Sequence, residues 1–310
     1  MKNRILYYMG ITVYNFFFSI KKNINLENSF FMANISLMLN DHEISELENL
    51  INYNRLKKIP VTNDYELLRV KDDKFSIVLY NTGKLVYNDN DTSRELLKTI
   101  LERQADYDYI LGSDETGKGE WYGPLVVVAT ALTSEEIIEL RLLGVKDSKS
   151  IKKPQIIKLA EKIIEMDFTW KSIILKPRSY NNLYNQFQDE GKSLNDIMAW
   201  AHSKVIQQTL AVIEYRKAKV IIDKFDYKKT DYRLKSIDQT GLKIIQMTGG
   251  ESEIPVAAAS IIAKYLFEKT VDELNMMYNV NLRNVKPENV KPELLRETAK
   301  IHFKNVEKLL

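Results

Sequence analysis

The chain has 310 residues, 45% of them hydrophobic and 28% charged, which is typical of a soluble globular protein and long enough for two domains. Its formal net charge of +3 is too small to indicate nucleic-acid binding by itself. The chain has no cysteine and only three histidines, which excludes disulfides, zinc ribbons and thiol nucleophiles. Any metal site must therefore use carboxylates, which favour hard cations such as Mg²⁺ or Mn²⁺.

The N-terminal segment, residues 1–31, contains an apolar and aromatic run at 5–20. This run is short for a membrane span, which needs about 20 residues, and no signal-peptide cleavage motif follows it. It could be a dispensable extension ahead of a second start at Met32, a weak anchor or signal, or a packed element. We favour the dispensable extension, and we expect a cytoplasmic protein without stable membrane association.

The next part of the chain, residues 32–104, predicts a small α+β domain. Strands are expected at 34–39, 65–70, 74–81 and 84–88, and helices at 42–53 and 91–104. We expect Asp41 to cap the first helix, and Asp91 or Thr92 to cap the second. The polar residues 104–108 are the expected linker to a second domain.

The second domain, residues 105–310, alternates strand and helix patterns. Strands are expected at 109–113, 125–132, 168–177, 218–223 and 242–247, and helices at 152–166, 194–215, 254–274 and 292–310. The strand at 125–132 is apolar at nearly every position, so both of its faces should be buried. The pattern predicts an α/β domain.

Acidic residues lie at three strand ends of this domain. Asp114 and Glu115 follow the first strand, Asp223 closes another, and Glu251 precedes a long helix. Strand ends and helix N-termini are where α/β folds build their sites. Adjacent acids on a strand point to opposite faces, so we expect a tight bend at 112–119, where three glycines occur, to bring both into one site.

The four carboxylates are the ligand set that a pair of Mg²⁺ ions would require. Any one of them alone is more often a turn or helix cap. The glycine-rich GKGEWYG at 117–123 matches neither the P-loop nor the dinucleotide-binding fingerprint. Only the four acids together therefore indicate a metal site.

The motifs of this domain resemble those of the type 2 ribonucleases H. They are SDETGKGEWYGPLVVVA at 113–129, GVKDSKS at 144–150, VIID at 220–223 and GGESEIPVAAASIIAK at 249–264. Three further segments resemble ribonuclease HIII rather than HII: FSIVLYNTGKLVY at 75–87, LNDIMAWAHSKVI at 194–206 and AKIHFKN at 299–305. The resemblance runs from about Met32 to the C-terminus.

The resemblance implies a fold and a metal site. It implies an RNase H-like catalytic domain, with a mixed central sheet flanked by helices, and an N-terminal domain like half of a TATA-binding protein. It implies that Asp114, Glu115, Asp223 and Glu251 bind two divalent ions, Mg²⁺ or Mn²⁺. Glu253, two residues further on, competes with Glu251 for the fourth position, and we favour Glu251.

The resemblance also implies substrate contacts. Gly117, Lys118 and Gly119 occupy the place where family members touch ribose 2′-hydroxyl groups through the backbone. Lys118 departs from the usual Thr or Arg at this position. Lys149 matches the phosphate-contacting lysine of the D-S-K motif. Independently of the resemblance, Tyr80, Lys84 and Tyr87 on the predicted hairpin could lie on a sheet face that follows a duplex backbone, although strand alternation should direct about half of them into the core.

The implied function is endonucleolytic hydrolysis of the RNA strand of RNA–DNA hybrids, leaving 5′-phosphate and 3′-hydroxyl ends. The expected partner is the hybrid duplex, bound by a monomer without a protein partner. One alternative is cleavage at single ribonucleotides embedded in DNA, as in ribonuclease HII. Another is a non-catalytic hybrid-binding protein, in which loss of an acid would be expected.

Overall fold

A computed structural model describes residues 34–73, 75–103, 106–145, 153–223, 227–235 and 237–310, and the backbone of two short strands near the N-terminus. These strands, β1 (Tyr7–Tyr8) and β2 (Ile11–Thr12), pair in antiparallel fashion. The rest of residues 1–31 lies outside the described residues, and so does the predicted phosphate contact Lys149. Within the described residues, no helix is long and apolar enough to cross a membrane.

The N-terminal unit is built on a four-stranded antiparallel sheet in the order β3-β6-β5-β4. The strands are β3 (Asn34–Met38), β4 (Glu66–Lys71), β5 (Ser76–Tyr80) and β6 (Lys84–Asn88), and the helices are α1 (Asp41–Tyr53) and α2 (Asp91–Lys98). Alternation sends Tyr87 into the core of this unit, whereas Tyr80 and Lys84 stay half-buried at the edge of the other face.

The caps of both helices precede the residues that the sequence predicted. Asn40 caps α1, where its side chain accepts a hydrogen bond from the backbone of Glu43 at 2.8 Å and a capping box is complete. Asn90 caps α2 by accepting from the backbone N–H of Ser93 at 2.9 Å. The predictions of Asp41 and of Asp91 or Thr92 as caps were wrong, because asparagine precedes each acid and fills the capping role equally well.

A third helix, α3 (Ser134–Leu142), groups by its contacts with the N-terminal unit, although in sequence it follows a strand of the second unit, β8 (Leu125–Leu132). Ile138 and Leu142 join the core of the N-terminal unit. Arg141 forms two hydrogen bonds, of 2.6 and 2.8 Å, with the fully buried carboxylate of Glu43. The sequence did not predict this helix, and the division at residues 104–105 remains a prediction.

The second unit contains a five-stranded mixed sheet in the order β11-β10-β7-β8-β9. The strands are β7 (Tyr109–Thr116), β8 (Leu125–Leu132), β9 (Thr169–Leu175), β10 (Ala218–Asp223) and β11 (Leu242–Met247). Strand β10 runs parallel to β7 and β11, whereas β7, β8 and β9 pair in antiparallel fashion. Every residue of β8 is buried, as its apolar sequence predicted.

Helices cover both faces of this sheet. α8 (Ile254–Tyr278) packs on β7 and β8 from one side, and α6 (Leu194–Leu210) packs on β8 and β9 from the other. The remaining helices are α4 (Lys153–Glu165), α5 (Pro177–Asp189), α7 (Tyr227–Leu234), α9 (Pro292–Thr298) and α10 (Lys304–Glu307). The mixed sheet flanked by helices confirms the predicted α/β class.

The C-terminal segment is not the single helix that its sequence predicts. It divides into α9 and α10 because Ala299 is extended, with φ −124° and ψ 152°, and forms an isolated antiparallel bridge with Tyr122. Tertiary pairing therefore overrides the helical preference of this segment.

Candidate active site

Strand β7 carries Asp114 and Glu115 and stays regular through Thr116. Asp114 pairs with Val128 of β8, and Glu115 pairs with Val127. The predicted bend therefore occurs only at 117–119, after the acids, because the ladder with β8 continues past them to Thr116. Successive side chains of a regular strand point to opposite faces, so these two carboxylates leave β7 on opposite sides.

Asp114 points to the face covered by α8. Gly112 lies on the same face, where a Cβ would come within 2.1 Å of the backbone nitrogen of Val256, so only glycine lets α8 approach β7 this closely. Asp114 in turn accepts a hydrogen bond from Ser260 of α8. Burial, followed by the charge of Glu115, raises the pKa of Asp114 to about 6.

Asp223 lies beside Asp114 at the end of the neighbouring strand. Strand β10 pairs with β7 up to Ile222 and Ser113, so the next residue of each strand is an acid on the α8 face. Adjacent strands lie about 4.8 Å apart, which brings the two backbones close together. The Asp223 carboxylate also accepts a hydrogen bond of 3.1 Å from the backbone N–H of Gly250.

Glu251 belongs to a single 3₁₀ turn, Gly250–Ser252, that lies against the end of β10. A Cβ at position 250 would come within 3.1 Å of the Asp223 Cα, so this turn approaches the strand end closely. Glu253 is the N-cap of α8. In the described part of the chain, no three His, Asp or Glu side chains form a ready-made metal-binding group.

Glu115 points to the opposite face, towards α6. Its carboxylate lies 3.1 Å from Nε2 of His202, and the other ring nitrogen of His202 lies 2.8 Å from the hydroxyl of Ser113. His202 is 1% exposed, so the ring is fixed at both nitrogens inside the core. Burial alone would raise the pKa of Glu115, but hydrogen bonding and attraction to His202, followed by the charge of Lys118, lower it overall.

In the turn after β7, Gly117 is tightly packed and Gly119 is not. Gly117 has a φ of +96°, and a Cβ there would lie 2.1 Å from the carbonyl oxygen of Pro124. Gly119 is exposed, and no atom lies within 4 Å of the position that its Cβ would occupy. The backbone at the tip of this turn is thus accessible to a ligand.

Sequence reasoning missed three side chains that support the acids: His202, Ser113 and Ser260. All three lie within the motifs at 113–129, 194–206 and 249–264, but their roles depend on the strand and helix faces that they occupy. The signal available in the sequence was a lone histidine within an otherwise apolar helical pattern. A buried histidine needs a hydrogen-bond partner, and the carboxylates that follow the apolar strands are candidates for that partner.

Comparison with known proteins identifies the family. The sequence profile of the family described as Ribonuclease HII matches residues 111–305. The chain belongs to the ribonuclease HII family. This ribonuclease H is 32% identical over 291 residues to ribonuclease HIII of Phytoplasma mali (strain AT), covering 89% of this chain and 98% of the relative. It is also 32% identical over 268 residues to ribonuclease HIII of Chlamydia pneumoniae, covering 78% of this chain and 87% of the relative.

A solved structure of similar fold is that of Bst-RNase HIII in complex with Mn²⁺. The match covers 89% of this ribonuclease H and 98% of the solved chain, with a TM-score of 0.54 and 23% sequence identity. This similarity shows a shared fold. The resemblance to the type 2 ribonucleases H, with ribonuclease HIII as the most similar type, is confirmed by these relatives. Endonuclease activity of the ribonuclease H type follows from the family.

Proposed function

We propose that the chain hydrolyses the RNA strand of RNA–DNA hybrids with the help of two divalent ions, leaving 5′-phosphate and 3′-hydroxyl ends. The observation that carries the proposal is that Asp114 and Asp223 lie side by side on adjacent strands of a ribonuclease H fold, with the turn of Glu251 against Asp223. Glu115 leaves β7 on the other face, yet after burial its charge is the next cause that raises the pKa of Asp114, so we include it in the set.

The donor set fits Mg²⁺ or Mn²⁺. All four proposed ligands are carboxylates, and hard cations prefer oxygen. Burial and the charge of Glu115 raise the pKa of Asp114 to about 6, which indicates repulsion between acids that a bound cation would offset. When bound, such ions activate a water molecule and stabilise the leaving oxygen in phosphodiester hydrolysis.

The residues around the acids hold them in place before any ion binds. The Ser260 hydroxyl holds Asp114 from α8, the Gly250 N–H holds Asp223, and His202 holds Glu115 from α6. These three hydrogen bonds come from three different elements. Mutual repulsion of the carboxylates is therefore resisted by hydrogen bonds that fix their orientation.

The substrate would approach along the turn of Gly117, Lys118 and Gly119. The open position of Gly119 leaves its backbone free to meet a ribose 2′-hydroxyl group, which is the group that distinguishes RNA from DNA. Lys118 adds a positive charge near the phosphates. Lys149 remains a proposed phosphate contact from its motif alone.

The open sheet face of the N-terminal unit would add affinity. Strand alternation places Lys71 and Lys84, each at an end of its strand, on the face away from the core. Basic side chains on a sheet face suit contacts with phosphates. The chemistry stays with the second unit.

A cleavage assay tests the proposal. The intact chain is incubated with an end-labelled RNA–DNA hybrid, a DNA duplex containing one ribonucleotide, and a DNA duplex without ribonucleotides, each with Mg²⁺, Mn²⁺ or a chelator. We expect cleavage of the hybrid at internal RNA positions with either metal and none with the chelator. Equal or faster cleavage at the single ribonucleotide would favour the ribonuclease HII type of specificity. Hybrid binding without cleavage under every metal condition would favour a non-catalytic binding protein.

A further inference from the structure

The side chain of Lys300, between α9 and α10, is completely buried. Its ammonium lies 2.7 Å from the carbonyl oxygens of Tyr122 and Gly123 and 3.4 Å from that of Pro124. A buried ammonium is costly unless hydrogen bonds replace its water. Here the partners are three consecutive backbone carbonyls, so Lys300 fixes the path of the chain just before β8.

The C-terminal segment pairs with the same stretch through its backbone. The N–H of Gly123 donates to the carbonyl of Thr298 at 2.9 Å, and the N–H of Lys300 donates to the carbonyl of Trp121 at 2.7 Å. These hydrogen bonds flank the bridge between Tyr122 and Ala299. The segment therefore acts as a short strand beside residues 121–123.

Helix α5 holds the C-terminal segment in turn. The amide nitrogen of Asn181 donates to the carbonyl of Ala299 at 2.9 Å, and its oxygen accepts from the N–H of Ile301 at 3.0 Å. The hydroxyl of Tyr180 lies 2.9 Å from Nδ1 of His302. Helix α5 therefore holds the residues that precede and follow Lys300 in the chain.

Residues 122–124, which Lys300 holds, pack against the base of the turn at 117–119. Gly117 packs so tightly against the carbonyl of Pro124 that a Cβ would lie 2.1 Å from it. Gly123, with a φ of +69°, packs in the same way against Val271 of α8. The base of the turn is therefore rigid, whereas its tip at Gly119 is open.

We propose that Lys300 is a positioning residue for the substrate, because it holds the carbonyls of residues 122–124 and so fixes the backbone of Gly117–Gly119 that meets the RNA strand. The inference rests on the proposed function, which assigns this turn to substrate contact. Lys300 acts through the turn and touches neither the acids nor the substrate. Its replacement should weaken binding more than chemistry.

The test compares Lys300→Met with Lys304→Met. Methionine keeps the length and apolar stem of lysine but donates no hydrogen bond, and Lys304 is exposed in α10, so it controls for loss of charge. For Lys300→Met we expect KM for the hybrid to rise about ten- to a hundredfold while kcat changes little, because the turn is misplaced and the acids are not. Amide hydrogen exchange at 117–119 should also quicken, and Lys304→Met should leave both readouts unchanged.

Each outcome decides between the alternatives. A folded Lys300→Met variant with wild-type KM and wild-type hydrogen exchange at 117–119 would overturn the proposal. A loss of kcat as large as the rise expected in KM, with KM itself unchanged, would also overturn it. Should Lys300→Met not fold, Asn181→Leu, which removes the hold of α5 on the segment, must raise KM in the same way or the proposal is wrong. If the wild-type chain cleaves no hybrid, the proposed function fails, and the exchange comparison alone still decides whether Lys300 fixes the turn.

Discussion

The Glu115 carboxylate and the His202 ring are joined by one hydrogen bond of 3.1 Å, in a place where water has little access. A carboxylate fixed by such a partner presents a constant orientation to a bound cation. The same ring is held at its other nitrogen by Ser113, 2.8 Å away. The orientation of the Glu115 carboxylate therefore depends on His202, which lies on α6.

Replacing His202 tests this dependence. His202→Leu should weaken Mn²⁺ binding about 10- to 100-fold, as is typical when a ligand loses its supporting hydrogen bond. His202→Gln should weaken it less, because the amide nitrogen can still reach Glu115. Calorimetric titration with Mn²⁺ measures both variants without requiring activity. Equal Mn²⁺ affinity in wild type and His202→Leu would show that Glu115 needs no support.

Lys300 makes a separate prediction about stability and pH. Burial lowers the pKa of Lys300 from 10.5 to about 7, against the charge of Glu120, which raises it. Burial, followed by the charge of Lys300, also lowers the pKa of His302. Between pH 7 and 10.5 the unfolded chain holds a proton on Lys300 that the folded chain has released, so folding becomes more favourable as pH rises.

The difference between wild type and Lys300→Met isolates this effect, because methionine does not titrate. The free energy of unfolding of wild type relative to the variant should increase by up to about 1.4 kcal/mol per pH unit above pH 7. Below pH 7 the difference should be flat. Urea unfolding at pH 6 to 9.5 measures it, and a constant difference across that range would show that the ammonium stays charged in the fold.

Among the elements, those with strong apolar patterns were predictable and those set by tertiary pairing were not. The buried strand β8 and the acids at the ends of β7 and β10 follow from runs of apolar residues that end in a carboxylate. Helix α3 was missed because its buried residues are distributed around the helix and form no amphipathic stripe. They are Ile137, Ile138, Leu140 and Leu142.

The candidate site was predictable in its residues but not in its geometry. Glycines near Asp114 and Glu115 suggested a bend, yet pairing with β8 keeps β7 straight through Thr116. The division of the C-terminal helix at Ala299 depends on a bridge with Tyr122, which is distant in sequence. No local pattern carries such information.

Helix α3 also determines how the N-terminal unit can be tested. Removing residues 1–105 would expose Ile138 and Leu142 and leave Arg141 without Glu43, so a loss of activity could reflect damage to α3. Substitutions on the open sheet face avoid this problem. Lys71 and Lys84 are suitable because neither belongs to the core.

The double variant Lys71→Ala with Lys84→Ala should bind the hybrid more weakly at low salt and keep its kcat. The slope of log affinity against log salt should fall by about one for each phosphate that the variant no longer neutralises. Lys217→Ala is the control, since this exposed lysine lies at the opposite end of β10 from Asp223. Fluorescence anisotropy at about 50 to 300 mM salt gives the slopes, and an unchanged slope would remove the open face from the substrate path.

For the whole molecule, the N-terminal segment leads to a prediction about solubility. A chain that begins at Met32 should fold, cleave hybrids at the rate of the full chain and be more soluble, because the apolar run at 5–20 promotes aggregation when exposed. Sedimentation after expression and a cleavage assay measure the two properties. An unfolded or inactive product would show that the segment is part of the core.

In the proposed mechanism, catalysis depends on the four carboxylates. The most direct measurement is the cleavage rate of Asp223→Asn at saturating hybrid with Mg²⁺, beside Asp238→Asn, which alters an exposed acid that accepts a hydrogen bond from the backbone N–H of Thr240. We expect Asp223→Asn to lose about a thousandfold or more in rate, since removal of a metal ligand takes away several kcal/mol of transition-state stabilisation, while it still binds the hybrid. Asp238→Asn should match wild type. Cleavage by Asp223→Asn within a few-fold of wild type would contradict the account.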